Sequence, residues 1–269
     1  MAGKLRNIAA VLRFDGTAYH GWQVQANARA VQPVFQDALE TVLRVRPDVT
    51  GCSRTDAGVH ARMYVCNFRI RSAIPCEGLL LALNRALPRD IAVRECREVP
   101  DMFHARYAAC GKEYAYRILT GPARDPFWER YTLHWPYPTD ADAMRRAAGL
   151  VPGTHDFGSF CAAGGSVEDH VRTVTRCTVE REGELLVLRV RADGFLYHMV
   201  RILAGTLLKI GRGALPAEGM TEVIAAQTRA AAGPTAPAAG LCLERVFYGP
   251  AWGDYEKPKE GAPREQDAD

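Results

Sequence analysis

Apolar residues recur at every second position through Ile8, Ala10, Leu12 and Phe14, the period of a strand with one face turned to a core. Asp15-Gly16-Thr17 supplies turn chemistry and leads into a polar-aromatic stretch, Tyr19-His20-Gly21-Trp22-Gln23-Val24-Gln25. From Val31 the period changes. Val34, Phe35, Leu39, Val42 and Leu43 fall at helical spacing, Pro33 suits a first turn, and the helix is expected to end before Pro47. A strand over 63–70 follows, with Tyr64, Cys66, Phe68 and Ile70 on one face, then a helix over 79–87 and a strand over 91–99.

The second half alternates less regularly. Tyr114, Tyr116 and Ile118 are in phase on a strand over 112–119, and a helix over 140–151 is expected with Thr139 as its cap. Strands over 171–182 and 185–192 flank Glu182-Gly183-Glu184, which reads as a hairpin. Residues 195–210 are apolar all round, including Leu196, Met199, Ile202, Leu203, Leu207 and Ile210, so a heavily buried helix is expected, stopped by Gly211 and Gly213. A short helix over 221–227, an Ala/Gly/Pro loop over 230–240 and a strand over 241–248 close the pattern. Two successive mixed units of ordinary domain size predict an α+β architecture, with a cleft between the units as the default site. The expected division is 1–107, 108–252 and a disordered acidic tail over 253–269.

Composition narrows the class. The chain has 269 residues, 48% hydrophobic and 24% charged, with a net charge of +3. That balance permits a nucleic-acid partner without demanding one. The tail is acidic, so the body is more basic than the whole chain. No stretch is long and apolar enough for a membrane span, and no signal peptide is read at the N-terminus. The eight cysteines form no C-x-x-C pair, which predicts reduced thiols, a cytoplasmic protein and no structural zinc.

One segment concentrates chemistry: Arg54-Thr55-Asp56-Ala57-Gly58-Val59-His60, with Arg62 just beyond. A turn gains little from so many ionisable groups around one carboxylate. A cation beside a carboxylate favours its ionised form, so Asp56 is a candidate nucleophile or base.

Six segments in order resemble those of bacterial tRNA pseudouridine synthases of the A type. They are Tyr19-His20-Gly21-Trp22-Gln23-Val24-Gln25, residues 54–61, Phe103-His104-Ala105-Arg106, Lys112-Glu113-Tyr114-Ala115-Tyr116, His155-Asp156-Phe157, and Phe195-Leu196-Tyr197-His198-Met199-Val200-Arg201. The resemblance implies two related domains of ferredoxin-like (RRM-like) type, with antiparallel sheets joined side by side and a basic cleft between them. It implies isomerisation of uridine to pseudouridine at positions 38 to 40 of the tRNA anticodon stem-loop, by a homodimer that needs no metal or organic cofactor. Asp56 is then the nucleophile, adding to the uracil ring or attacking the sugar, or abstracting a sugar proton. Pseudouridine formation breaks the base–ribose bond, rotates the base and rejoins it through carbon, so it needs a nucleophile, proton management and confinement.

Tyr114 is placed against the base, by stacking and through its hydroxyl, although Tyr116 shares its phase and only the motif separates them. Arg201 sits in an otherwise apolar helix, where a guanidinium requires an anionic partner unless it lies at a surface gap; Asp56 is the partner expected. Arg54 is expected at the mouth of the site, filling the space of an extruded base or touching phosphate. His60 is expected to order the loop ahead of any acid–base role. With Tyr114, the residues Arg54, His60, Arg62, Gln25, Arg106 and Lys112 form the expected substrate-binding set. Arg69, Arg71, Arg145, Arg146, Lys209 and Arg212 are further candidates for phosphate. Tyr107-Ala108 departs from the family, which more often has a small hydroxyl residue there.

Three other readings compete. An aspartic hydrolase built as a dimer would use Asp56-Ala57-Gly58, but it needs two carboxylates sharing a proton. Cys52 with His60 offers a thiol nucleophile without a recognisable oxyanion loop. A non-catalytic RNA-binding domain explains the arginines but not a carboxylate in a phosphate cleft.

Overall fold

The first alternation forms β1 (Arg6–Phe14) in a computed structural model that describes residues 4–25, 27–165 and 167–249. The N-terminal half continues with α1 (Val31–Leu43), β2 (Val49–Gly51), β3 (His60–Ile70), α2 (Cys76–Ala86) and β4 (Ile91–Val99). The second half contributes β5 (Ala109–Thr120), β6 (Leu133–Trp135), α3 (Ala141–Ala148), β7 (Gly153–Asp156), β8 (Val171–Glu182), β9 (Leu185–Ala192), α4 (Met199–Gly211), α5 (Gly219–Ala226) and β10 (Leu241–Tyr248). β4, β8, β9 and β10 occupy the stretches that periodicity marks. β2, β6 and β7 hold three or four residues each, too few to show a period.

Helix starts differ from expectation: α2 begins at Cys76 and α5 at Gly219, each a few residues early, and for α3 and α4 the cause is visible. Asp140, not Thr139, caps α3, because its carboxylate accepts hydrogen bonds from the Asp142 and Ala143 amides at 2.9 Å each. The Thr139 hydroxyl instead donates to the Tyr137 carbonyl at 2.8 Å. α4 begins at Met199, not Phe195, since His198 takes the left-handed conformation (φ 60°, ψ 10°) and residues 195–198 cannot continue a helix. Beyond that start the expectation holds: Ile202, Leu203, Ala204, Leu207 and Ile210 are all buried.

The strands of the described residues join in one ten-stranded sheet, in the order β4-β1-β3-β10-β5-β9-β8-β7, with β2 beside β3 and β6 beside β5. Pairing along that path is antiparallel except between β3 and β10. The last strand thus inserts between the halves. Cys242 and Leu243 of β10 face His60 and Ala61 of β3 on one side, and Ala115 and Tyr114 of β5 on the other. Buried apolar side chains run without a break from Phe35 and Leu83 in the first half to Phe157 and Leu203 in the second. Each such side chain, fully enclosed, contributes about 2 kcal/mol relative to exposure.

The fold is therefore α+β, a mostly antiparallel sheet with few helices. The division expected at residue 107 falls in the β4–β5 connection. The tail expected over 253–269 lies outside the described residues. Among the described residues, no helix is long and apolar enough to cross a membrane.

Candidate active site

The Asp56 loop runs from the end of β2 into β3, where β3 meets β10. Two glycines let it lie backbone to backbone on the Tyr19–Gln25 stretch. Gly21 has φ +80°, and a Cβ there would stand 2.0 Å from the Thr55 carbonyl oxygen, so only glycine fits. Gly58 has φ +78° and donates its N–H to the Tyr19 carbonyl at 3.0 Å. The Val59 amide closes a turn onto the Asp56 carbonyl at 3.2 Å. Below, Trp22 stacks on Tyr64 with centroids 4.1 Å apart, and the Tyr64 hydroxyl donates to the Ser53 carbonyl. Trp22, 3% exposed, supports the loop from the floor of the cleft.

Arg201, in the first turn of α4, reaches across to Asp56. Its Nη1 lies 3.3 Å from Oδ2, with side-chain exposures of 15% and 24%, so the pair is partly desolvated. His198 Nε2 approaches the same Oδ2 at 3.5 Å. Burial lowers the pKa of His198, Asp56 opposes that, and Arg201 reinforces it, so the imidazole is neutral at neutral pH. Arg201 is itself held from behind. Its Nε donates to the Ala236 carbonyl at 2.7 Å, while the Ala236 amide donates to the Arg201 carbonyl at 3.1 Å. The 230–240 segment is thus a strap over α4; a Cβ on Gly205 would stand 1.8 Å from the Pro234 carbonyl oxygen.

β5 separates its two tyrosines by role. Tyr114 lines the cleft, edge-on to Phe195 at 5.0 Å. Burial pushes its hydroxyl well above the ordinary tyrosine value, against a hydrogen bond with Ser53. Tyr116 is fully buried and donates to the strap at the Pro237 carbonyl, 2.8 Å away.

The cleft is about 1010 Å³, and Arg54, Asp56, Lys112, Tyr114, Arg201, Gln25 and Arg106 all line it. Arg54 and Arg106 are exposed at its rim. Gln25 is also exposed and donates to the His20 carbonyl at 2.8 Å. Burial lowers the pKa of Lys112, with Cys52 opposing and Arg106 adding to the effect.

His60 and Arg62 do not line it. His60 is 5% exposed, and its ring is fully used: Nδ1 accepts from the Gly16 amide at 3.0 Å, and Nε2 faces the carbonyls of Arg130 at 2.8 Å and Ala239 at 3.2 Å. These bonds tie the start of β3 to the Gly16 turn and to the backbone at Arg130 and Ala239. Arg62 turns to Glu244 of β10, with Nε 3.8 Å from the carboxylate that also binds Arg117.

His198 and the strap are the parts that pattern reading passes over. Histidine within the apolar run signals nothing by itself, since its left-handed backbone has no periodic signature. The crowding of Ala, Gly and Pro over 230–240 is the one cue to a segment that packs closely. The competing chemistries fit less well. Cys52 is buried, which pushes its thiol up to about 11, and both nitrogens of His60 are engaged elsewhere. Asp56 has a guanidinium and an imidazole beside it instead of the second carboxylate an aspartic dyad requires. What remains is a single carboxylate with an oriented oxygen, an aromatic neighbour and a cationic rim, an arrangement for nucleophilic attack on a base carried by a polyanion.

Known proteins resemble this chain over most of its length. A family model described as tRNA pseudouridine synthase matches residues 10–108 and 147–249. A tRNA pseudouridine synthase A of Halalkalibacterium halodurans is 46% identical over 90% of this chain and 92% of its own. The proteins of that name from Moorella thermoacetica and Acetivibrio thermocellus are 48% and 43% identical, over 88% and 91% of this chain and 97% and 100% of their own. The chain belongs to the tRNA pseudouridine synthase family.

Proposed function

We propose that this protein isomerises uridine to pseudouridine in the anticodon stem-loop of tRNA, at positions 38 to 40, with Asp56 as the nucleophile. The observation that carries the proposal is Asp56 at the seam between the halves, its Oδ2 held by Arg201 from a distant helix while Tyr114 lines the same cleft. In the reaction the N1–C1′ bond breaks, a C5–C1′ bond forms, the C5 hydrogen leaves as a proton and N1 takes one up.

Arg201 and His198 both approach Oδ2, which leaves Oδ1 as the oxygen for attack, on the ring or the sugar. Tyr114 acts by its ring face and its neutral hydroxyl. A raised hydroxyl pKa disfavours phenolate at neutral pH and with it a role as a strong base. Arg54 at the rim fills the gap left in the stacked bases, and Arg106 and Lys112 meet phosphate. Gln25 supports the rim. No step calls for a metal or organic cofactor. The same reading places the enzyme in the cytoplasm, supported by eight unpaired thiols among the described residues, and makes it a homodimer, on the motif resemblance alone.

Asp56→Asn tests the assignment. Tritium release from C5-labelled uridine in tRNA is expected to vanish while tRNA binding persists; turnover near wild type would overturn the assignment.

A further inference from the structure

The loop over 100–108, between β4 and β5, is fastened from beneath by buried polar groups that the reaction above does not use. The Asn7 amide, 1% exposed, donates to the carbonyls of Pro100 at 3.0 Å and Phe103 at 3.1 Å. Asn67, 8% exposed, donates to Asn7 Oδ1 at 3.0 Å and accepts from the Ala105 amide at 2.9 Å. The Tyr248 hydroxyl donates to the Ala105 carbonyl at 2.8 Å. Buried amides are tolerated only when paired, and here the pairing fixes a surface loop.

On its outer side the same loop carries Tyr107, 78% exposed and lining the cleft that holds Asp56. Tyr107 is not left to swing. His104 Nδ1 accepts from the Arg106 and Tyr107 amides at 3.2 and 3.3 Å, and the fixed imidazole stacks on the Tyr107 ring, centroids 4.2 Å apart and 27° from parallel. A large aromatic ring is thus held in place and left bare. Single exposed apolar residues need no explanation, but one whose backing is built this fully has already lost the freedom that binding would otherwise take from it.

We propose that Tyr107, backed by His104, is a stacking platform for a second nucleobase of the RNA, an unpaired nucleotide flanking the target uridine. Every base offers a π face, so the platform selects for an unstacked nucleotide and not for base identity. Arg106, whose guanidinium carbon lies 5.9 Å from the Tyr107 ring centroid, is placed for the phosphate of that nucleotide. The proposal rests on the tRNA-modifying function above.

The test uses the full-length chain in an Asp56→Asn background, where RNA binds without turnover. Kd for tRNA is measured across a salt series with Tyr107→Ala, Tyr107→Phe and Arg106→Ala. One base–aromatic stack is worth about tenfold, so Tyr107→Ala should weaken binding by about that factor with the slope of log Kd against log salt unchanged. Tyr107→Phe should bind as the parent does, and Arg106→Ala should lower the slope by about one. In parallel, 2-aminopurine placed beside the target uridine should be quenched on binding to the parent and not to Tyr107→Ala. Equal affinity for Tyr107→Ala and the parent overturns the platform, as does weakening in Tyr107→Phe equal to that in Tyr107→Ala, which would assign the contact to the hydroxyl. Failure of the wild-type enzyme to form pseudouridine in tRNA would overturn the underlying function instead, and the wild-type assay distinguishes the two.

Discussion

Arg201→Lys separates the charge of Arg201 from its geometry. One guanidinium makes two contacts, Nε to the Ala236 carbonyl at 2.7 Å and Nη1 to Asp56 Oδ2 at 3.3 Å. A lysine ammonium is a compact charge on a flexible stem and cannot span both. The pull toward Asp56, about 5 kcal/mol before desolvation at an effective dielectric near 20, exceeds a charged donor's hydrogen bond to a carbonyl, about 1.5–3 kcal/mol. Lysine should therefore stay with Asp56 and release the strap. The released bond predicts a fall in Tm of roughly 3–10 °C for a chain of this size. Catalysis should also suffer, because a single ammonium does not fix the carboxylate's orientation; the single-turnover rate should drop about 10- to 100-fold, with tRNA Kd within about twofold. Tritium release under single-turnover conditions, filter binding and thermal unfolding read the three quantities. A variant with wild-type rate and Tm refutes the two-contact account. A loss carried by Kd alone would mean that Arg201 holds RNA and not Asp56.

Three further outcomes follow from the same geometry. Tyr114→Phe keeps the ring and removes the hydroxyl and its Ser53 contact, so a rate within about threefold of wild type is expected if stacking dominates, against a far larger loss for Tyr114→Ala; equal losses would assign the role to the hydroxyl. His198→Asn should retain most activity and Tm, because asparagine tolerates the left-handed backbone and can still donate, whereas His198→Val should lose about 1–2 kcal/mol of stability to strain at φ 60°, and indistinguishable variants would contradict the positioning role. Burial lowers the pKa of His60 below 6.5, against the opposing pull of Asp15, so the unfolded chain takes up a proton near pH 6.5 that the folded chain refuses. Stability from His60 is full above that pH and falls below it, by at most about 1.4 kcal/mol per unit until the folded pKa is reached; the gap in urea-unfolding free energy between wild type and His60→Gln should narrow from pH 7.5 to 5.5, and a constant gap would show that the fold takes up the His60 proton as readily as the unfolded chain does.

What the sequence reveals of this site depends on whether a residue's role is written in its own environment or in its partner's. β4, β8, β9 and β10 are legible because each is a long run with apolar residues along its length, but nothing in β10 itself says that it inserts between β3 and β5. That pairing links the two halves of the chain and is decided by packing. Arg201 is accessible from solvation alone, since a guanidinium in an apolar helix requires an anion, and it finds Asp56 145 residues away. Nearness along the chain is the weaker guide. Of the three basic residues grouped around Asp56, only Arg54 reaches the cleft; His60 opens β3 and is consumed by backbone groups, while Arg62 goes to Glu244. Charges adjacent in sequence share a loop only until the strand begins, after which register, not proximity, assigns each side chain its neighbours. His198 shows the converse. It lies far from Asp56 in the chain, and what brings it to Oδ2 is one residue of left-handed backbone at the start of α4, a conformation that no hydrophobic pattern encodes.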